Sequence, residues 1–218
     1  MEEKMTFACG IFDLDGVLVD TAKYHYLAWK KLAGELGFSF TEEQNEALKG
    51  VSRMRSLELL LEAGGLSGAF SKEEMEKLAD RKNAVYVEYI SKIEKSELFD
   101  GVEELFGRMR QKGIKIALGS ASKNAGLILD RLDIRKYFDA VIDGTLVKKP
   151  KPDPEVFLLA AEALGLPSEQ CVVFEDSAAG LEAAGRAGMK TVGIGDPRRL
   201  SQADMVLDKA GDFVRFLE

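Results

Sequence analysis

Two carboxylates two positions apart, Asp13 and Asp15, close an apolar run that starts at Ala8, and Gly16 follows at once. Side chains alternate faces along a strand, so the two acids would point the same way if the strand continued. Gly16 lets the backbone turn sharply there. Acids that converge at the end of a buried strand repel one another unless they hold a metal or share a proton. Such a pair suits phosphoryl transfer, in which a carboxylate attacks phosphorus and a divalent cation offsets the charge. An isolated Asp-x-Asp is also a turn signal, because Asp favours turns and helix caps. The other strand ends therefore matter.

Three further apolar runs end in polar groups of complementary type. Leu118-Gly119 leads into Ser120-Ala121-Ser122-Lys123-Asn124 ahead of a helical pattern. Ser120 can donate to a phosphoryl oxygen, and a helix start adds backbone N–H groups; a serine N-cap reads the same way. The segment Lys148-Lys149-Pro150-Lys151-Pro152-Asp153-Pro154 carries lysines between prolines. Lys149, braced by Pro150, is the expected fixed cation, and Lys149–Pro150 is a bond that can be cis. Finally, Phe174-Glu175-Asp176-Ser177 places two more acids after an apolar run. Oxygen-only ligands at that edge suit Mg2+, which takes few protein carboxylates.

These groups need a scaffold that brings strand ends together. Short apolar runs at Cys9–Phe12, Ile114–Leu118, Ala140–Ile142, Cys171–Phe174, Thr191–Ile194 and Met205–Leu207 read as buried parallel strands. Helical patterns lie between them at Gly101–Lys112, Pro154–Leu164 and Ala178–Ala187, the last closing at Gly188. Strands alternating with helices imply an α/β fold with a parallel sheet covered on both faces. In such a sheet a ligand sits beyond the carboxyl ends of the strands. Residues 22–95 differ: Tyr24, Leu27, Trp29, Leu32 and Leu36 recur at helical spacing, as do Leu57, Leu60 and Leu61, then Met75 and Leu78. This predicts a helical insert of four helices after the first strand, within a core of residues 1–21 and 96–218. Its aromatic and leucine stripes read as the insert's own core.

Composition narrows the partners. The chain has 218 residues, 46% of them hydrophobic, which is enough for one large domain or a domain with an insert. A net charge of -7 without long basic runs argues against nucleic acid. No apolar stretch approaches a membrane span, and no signal pattern opens the chain. Cys9 and Cys171 sit in apolar runs and read as buried free thiols of a reducing compartment. A cytoplasmic monomer is expected. Gly193-Ile194-Gly195 lacks the third glycine of a dinucleotide fingerprint and is discounted.

Taken together, Asp13-Leu14-Asp15-Gly16-Val17, Ser120, Lys149-Pro150 and Glu175-Asp176 resemble the four motifs of the haloacid dehalogenase superfamily. A closer resemblance, to the β-phosphoglucomutase family, lies in Asp20-Thr21-Ala22-Lys23-Tyr24-His25, in Lys49-Gly50-Val51-Ser52-Arg53, in Arg81-Lys82-Asn83 and in the Ser120–Asn124 segment. The resemblance implies a Rossmann-like core with an inserted α-helical cap that closes over the site. It implies Asp13 as nucleophile, Asp15 as general acid and base, and Ser120 and Lys149 on the transferring phosphoryl group, with Mg2+ held by Asp13, the backbone carbonyl of Asp15, Glu175 and Asp176. It further implies Arg53, Ser122, Lys123 and Asn124 on a second phosphate. Thr21, His25, Lys49, Gly50 and Lys82 are the remaining substrate-binding expectations. The substrate would be a small hexose phosphate, with Mg2+ as cofactor. Two reactions stay open: a phosphohexomutase that passes through an aspartyl phosphate and a sugar bisphosphate, and a sugar-phosphate or phosphoglycolate-type phosphatase.

Overall fold

The computed structural model describes residues 7–48 and 52–217. They form two compact units, one of residues 7–20 and 93–217, the other of Thr21–Lys92. The first unit holds six strands: β1 (Cys9–Phe12), β2 (Lys115–Gly119), β3 (Ala140–Ile142), β4 (Cys171–Glu175), β5 (Lys190–Ile194) and β6 (Met205–Leu207). All pairings are parallel and the order is β3-β2-β1-β4-β5-β6. The chain builds outward from β1 to β3, then returns to lay β4 on the other side of β1. The order thus reverses between β1 and β4, the point beyond whose strand ends open α/β sheets take their ligands.

Helices α1 (Ala22–Glu35), α2 (Glu42–Glu46), α3 (Arg53–Ala63) and α4 (Lys72–Ile90) belong to the second unit, and α5 (Val102–Gln111), α6 (Ala125–Arg131), α7 (Glu155–Leu164) and α8 (Ala178–Arg186) to the first. The expected strands are all present, with ends displaced by a residue in β2, β4 and β5.

Strand parity decides what each face of the sheet meets. Cys9 and Ile11 of β1 and Cys171 and Val173 of β4 share a buried cluster with Phe157 and Ala160 of α7 and Ala183 and Ala184 of α8. The intervening residues face the other way. Phe12 stacks on Phe174 with ring centroids 4.3 Å apart and meets the edge of Phe106 in α5 at 5.0 Å. Phe174 in turn meets the edge of Phe213, from the C-terminal 3-10 turns, at 4.9 Å. Both faces are covered, which is why these strands read as unbroken apolar runs. Glu175, last in β4, keeps the parity of Cys171 and Val173 and so emerges on the α8 side. Cys9 and Cys171 are free, buried thiols.

In the second unit Trp29, Leu32, Phe40, Leu57, Leu60, Leu61 and Leu78 form the core. Helix starts follow local rules. Thr41 with Gln44 and Ser71 with Glu74 form capping boxes for α2 and α4, and Ser52 Oγ accepts from Arg55 N–H ahead of α3. Among the described residues no helix is long and apolar enough to cross a membrane.

The aromatic stack ties β1 to β4 directly beneath the strand ends. Phe174→Ala should therefore lower the unfolding free energy by about 3–5 kcal/mol. Urea unfolding followed by far-ultraviolet circular dichroism measures this, and a loss below about 1 kcal/mol would show that the stack contributes little.

Candidate active site

Strand pairing extends one residue past β1, because Asp13 N–H donates to the Phe174 carbonyl at 2.9 Å. The Asp13 carboxylate is thereby buried beside the end of β4. Between them stands Lys151. Its Nζ donates to Asp13 Oδ1 at 2.6 Å and to Glu175 Oε2 at 2.7 Å. The other Glu175 oxygen, Oε1, accepts from Asp176 N–H at 3.2 Å, Ser177 N–H at 3.1 Å and Ser177 Oγ at 2.7 Å. Ser177 Oγ also accepts from Gly180 N–H at 3.1 Å and so caps α8. A Cβ on Gly180 would overlap the Glu175 carboxyl, so glycine is what lets this acid fold back over the helix start.

The expectation that Lys149 supplies the fixed cation is corrected here. Lys149 points outward, its side chain 72% exposed and its Nζ 3.8 Å from Asp153. The Lys151 side chain is 11% exposed and carries both carboxylate contacts. The cis peptide is Lys151–Pro152, not Lys149–Pro150. The physical reason is placement along the loop. Lys151 lies four residues before α7 and reaches the β1 and β4 ends, whereas the Lys149 side chain lies in solvent.

Charge around this site is unbalanced. Burial pushes the Asp13 carboxyl up to about 7; Glu175 and Asp15 add to the rise, and Lys151 opposes it. The Asp176 carboxyl is pushed up to about 8, first by loss of surrounding solvent, then by Glu175 and Asp13, although the residue as a whole stays exposed. Burial works against the Glu175 charge, yet Lys151, then Ser177 and the Asp176 side chain, hold its pKa below the usual range. Burial likewise opposes the Lys151 charge, and Asp13 and Glu175 overcome it, so the ammonium stays protonated. Carboxylate oxygens of Asp13, Glu175 and Asp176 lie within 4.8 Å of one another. Gly16 has φ +76, and a side chain there would overlap Asp176, so the turn after β1 leaves room for that acid. An all-oxygen donor set with excess negative charge fits a hard divalent cation.

Ser120 follows β2 and is buried. Its N–H donates to the Ile142 carbonyl at 3.0 Å and its Oγ accepts from Ser122 N–H at 3.1 Å. Ser122 Oγ accepts from Asn124 N–H at 3.3 Å, and Asn124 stands at the N-cap of α6. Lys123 between them is exposed. This loop is therefore a series of side-chain-to-backbone turns that leads from the sheet edge into a helix start.

The remaining expected residues fall in the helical unit. Thr21 is fully buried, and its carbonyl accepts from the N–H groups of Tyr24 and His25. Lys82 is buried too. Its ammonium lies 2.8 Å from His25 Nδ1 and over the rings of Trp29 and Tyr86, 4.5 and 4.9 Å from their centroids. An ammonium can only donate, so Nδ1 accepts and the imidazole proton sits on Nε2. Burial, then Lys82, then Arg53 push the His25 pKa down to about 3. Arg53 opens α3, and its guanidinium donates to Asn83 Oδ1 at 2.9 Å. Lys49 and Gly50 lie outside the described residues.

A description of the haloacid dehalogenase-like hydrolases matches residues 9–188. A Bacillus subtilis protein named β-phosphoglucomutase is 43% identical over 93% of this chain and 89% of its own. A Thermotoga maritima protein named phosphorylated carbohydrates phosphatase is 36% identical over 84% of this chain and 82% of its own. The crystal structure of a Clostridium difficile β-phosphoglucomutase superposes with a TM-score of 0.88 at 40% identity, covering 97% of this chain and 96% of that one.

Two outcomes are expected. Lys151→Ala should cut turnover by about 10²–10³-fold, the usual loss for one stabilising donor, while Lys149→Ala stays within about twofold of wild type, as surface changes do; steady-state kinetics of both variants test this, and the reverse ranking would refute it. His25 should remain neutral far below its ordinary pKa. Unfolded chains take up that proton near pH 6.5 and the folded one only near 3, so this contribution to stability is present above pH 6.5 and is lost as pH falls toward 3. The His25 ring resonances should stay flat between pH 8 and pH 5, and a midpoint near 6.5 would contradict the assignment.

Proposed function

We propose that this chain, which belongs to the haloacid dehalogenase-like hydrolase family, interconverts β-glucose 1-phosphate and glucose 6-phosphate. The observation that carries the reading is the 43% identity to the Bacillus enzyme across nearly the whole chain. The core site supports the chemistry. Asp13 is the proposed nucleophile: its carboxylate forms the new bond to phosphorus as the bond to the leaving oxygen breaks. Asp15 is the proposed general acid and base, giving a proton to the departing sugar oxygen and taking one from the hydroxyl that attacks next. Ser120 and Lys151 would donate to the phosphoryl oxygens, which is most of what this reaction asks of a protein.

Asp13, Glu175 and Asp176 through their carboxylates, and Asp15 through its backbone carbonyl, are the proposed holders of Mg2+. When bound, the ion would offset the charge of these carboxylates and of the phosphoryl group. Ser122, Lys123 and Asn124 are proposed ligands of the phosphate that does not react. Arg53, with its planar fork, is proposed for the same task; Thr21, His25, Lys49, Gly50 and Lys82 are proposed substrate contacts. Hydrolysis is the second reading, favoured by the 36% identity to the Thermotoga phosphatase: the same aspartyl phosphate would then be discharged to water.

A coupled assay separates the two. β-Glucose 1-phosphate, Mg2+ and a trace of glucose 1,6-bisphosphate are supplied, glucose 6-phosphate and free phosphate are followed together, and Asp13→Asn serves as the blank. Glucose 6-phosphate should outrun phosphate by orders of magnitude, chelation should stop both and Mg2+ restore them. Arg53→Ala should abolish the mutase rate while sparing hydrolysis of small phosphate esters. Phosphate release alone would make the protein a phosphatase.

A further inference from the structure

Lys151 sits on a loop whose shape is set from one helix turn. Glu155, first residue of α7, folds its carboxylate back over that loop, and a single oxygen, Oε2, accepts from Lys148 N–H at 2.8 Å and Lys149 N–H at 2.6 Å. Its own N–H donates to Asp153 Oδ1 at 3.1 Å, and Asp153 N–H donates to the Pro150 carbonyl at 3.0 Å. Two residues on, the Phe157 ring lies 4.9 Å from Lys151 Nζ. The backbone ahead of Lys151 and the ammonium itself are thus both held by the first turn of α7.

We propose that Glu155 is a positioning residue for phosphoryl transfer: through the Lys148 and Lys149 amides it fixes the loop that places the Lys151 ammonium against Asp13. The inference rests on the phosphoryl-transfer reading above and deepens it. Two consecutive amides on one charged oxygen form a stiff, charge-assisted clasp. Lys151 meets both carboxylates at short range, so a displacement on the order of 1 Å can cost on the order of 10²-fold in rate. A carboxylate in the first turn of a helix also has a plain stabilising role, and the experiment must tell the two apart.

Acetyl phosphate serves as the probe, because it needs no sugar. The Asp13 carboxylate attacks phosphorus, the bond from phosphorus to the acetyl oxygen breaks, and acetate leaves as the anion with no proton transfer required. The rate of Asp13 labelling with Mg2+ is measured for wild type, Glu155→Ala, Glu155→Gln, Lys151→Ala and the Glu155→Ala/Lys151→Ala double variant, together with the melting temperature of each. Glu155→Ala should slow labelling by about 10–10²-fold with little change in the acetyl phosphate KM. Glu155→Gln should recover part of the rate, since its carbonyl can still accept both amides without the charge. In the Lys151→Ala background Glu155→Ala should add no further slowing, because a residue acting through Lys151 has nothing left to position. Multiplying losses, or a lowered melting temperature with unchanged labelling, would overturn the inference. If the alanine variant fails to fold, the glutamine variant alone and combined with Lys151→Ala carries the same comparison. No labelling of the wild type would overturn the phosphoryl-transfer reading and the inference with it, whereas wild-type labelling that the Glu155 variants leave unchanged overturns the inference alone.

Discussion

The Lys151 ammonium stands between Asp13 and Glu175, at 2.6 and 2.7 Å, in a place where three carboxylates approach within 4.8 Å of one another. Like charges about 4 Å apart repel by about 4 kcal/mol at an effective dielectric near 20. A domain's entire net stability is only about 5–15 kcal/mol. Three such repulsions left unbalanced would rival it, so the site cannot exist as bare anions. Its solution is graded. Glu175, saturated with donors, remains an anion and holds Lys151; Asp13 and Asp176 are the groups whose pKa values rise to about 7 and about 8. Asp13 and Asp176, the acids with unmet demand for positive charge, are among the groups proposed to face the phosphoryl group or its cation.

The fold exists to keep that cluster from relaxing. Asp13 is an extension of the β1–β4 ladder, and Glu175 is the last residue of β4 itself. The Phe12–Phe174 stack pins the two strands one residue below the acids, with Phe106 and Phe213 against its edges. On the opposite face α7 and α8 supply the Lys151 loop and the Gly180 gap into which Glu175 folds. A carboxylate cluster free to splay would spread into solvent and lose both its raised pKa values and its affinity for a cation. Rigid strand ends are the cheaper arrangement, since their order is already fixed by the core.

Much of this was legible in the sequence because it rests on local rules. Apolar runs located every strand, and the acids at Asp13, Glu175 and Asp176 are brought together as strand-end logic requires. The sequence points to Lys149 where the structure uses Lys151, for an equally physical reason. Lys149-Pro150 and Lys151-Pro152 are the same local pattern, and no propensity distinguishes them. What distinguishes them is distance to the sheet, set by where α7 begins. The signal was present in Pro154-Glu155, a proline in the favoured N-terminal position with an acid beside it: counting back from that helix start leaves Lys151 nearer the strands. The roles of Gly180 and Ser177 were hidden differently. Ser177 reads only as a cap, and that the same hydroxyl also serves Glu175 depends on a carboxylate bending back across its own helix, which no spacing rule encodes.

The proposed core chemistry does not choose between sugar and water as the acceptor, because an aspartyl phosphate would be competent toward both. That choice must come from groups that recognise the substrate away from the reacting atoms. The helical unit carries a cluster suited to recognition and poor at proton transfer: Lys82 is buried against Trp29 and Tyr86 with its ammonium on a neutral His25, whose pKa near 3 keeps it from serving as an acid at neutral pH. Burying an ammonium is costly unless it is well contacted, and a merely structural cluster would be served better by an apolar side chain at that position. A lysine kept there, beside a histidine held neutral so that no second charge competes, is consistent with the proposed role in reading an anionic or hydroxyl-rich ligand. If these residues make the substrate contacts proposed above, the acceptor's identity lies with the helices and the phosphoryl chemistry with the strand ends.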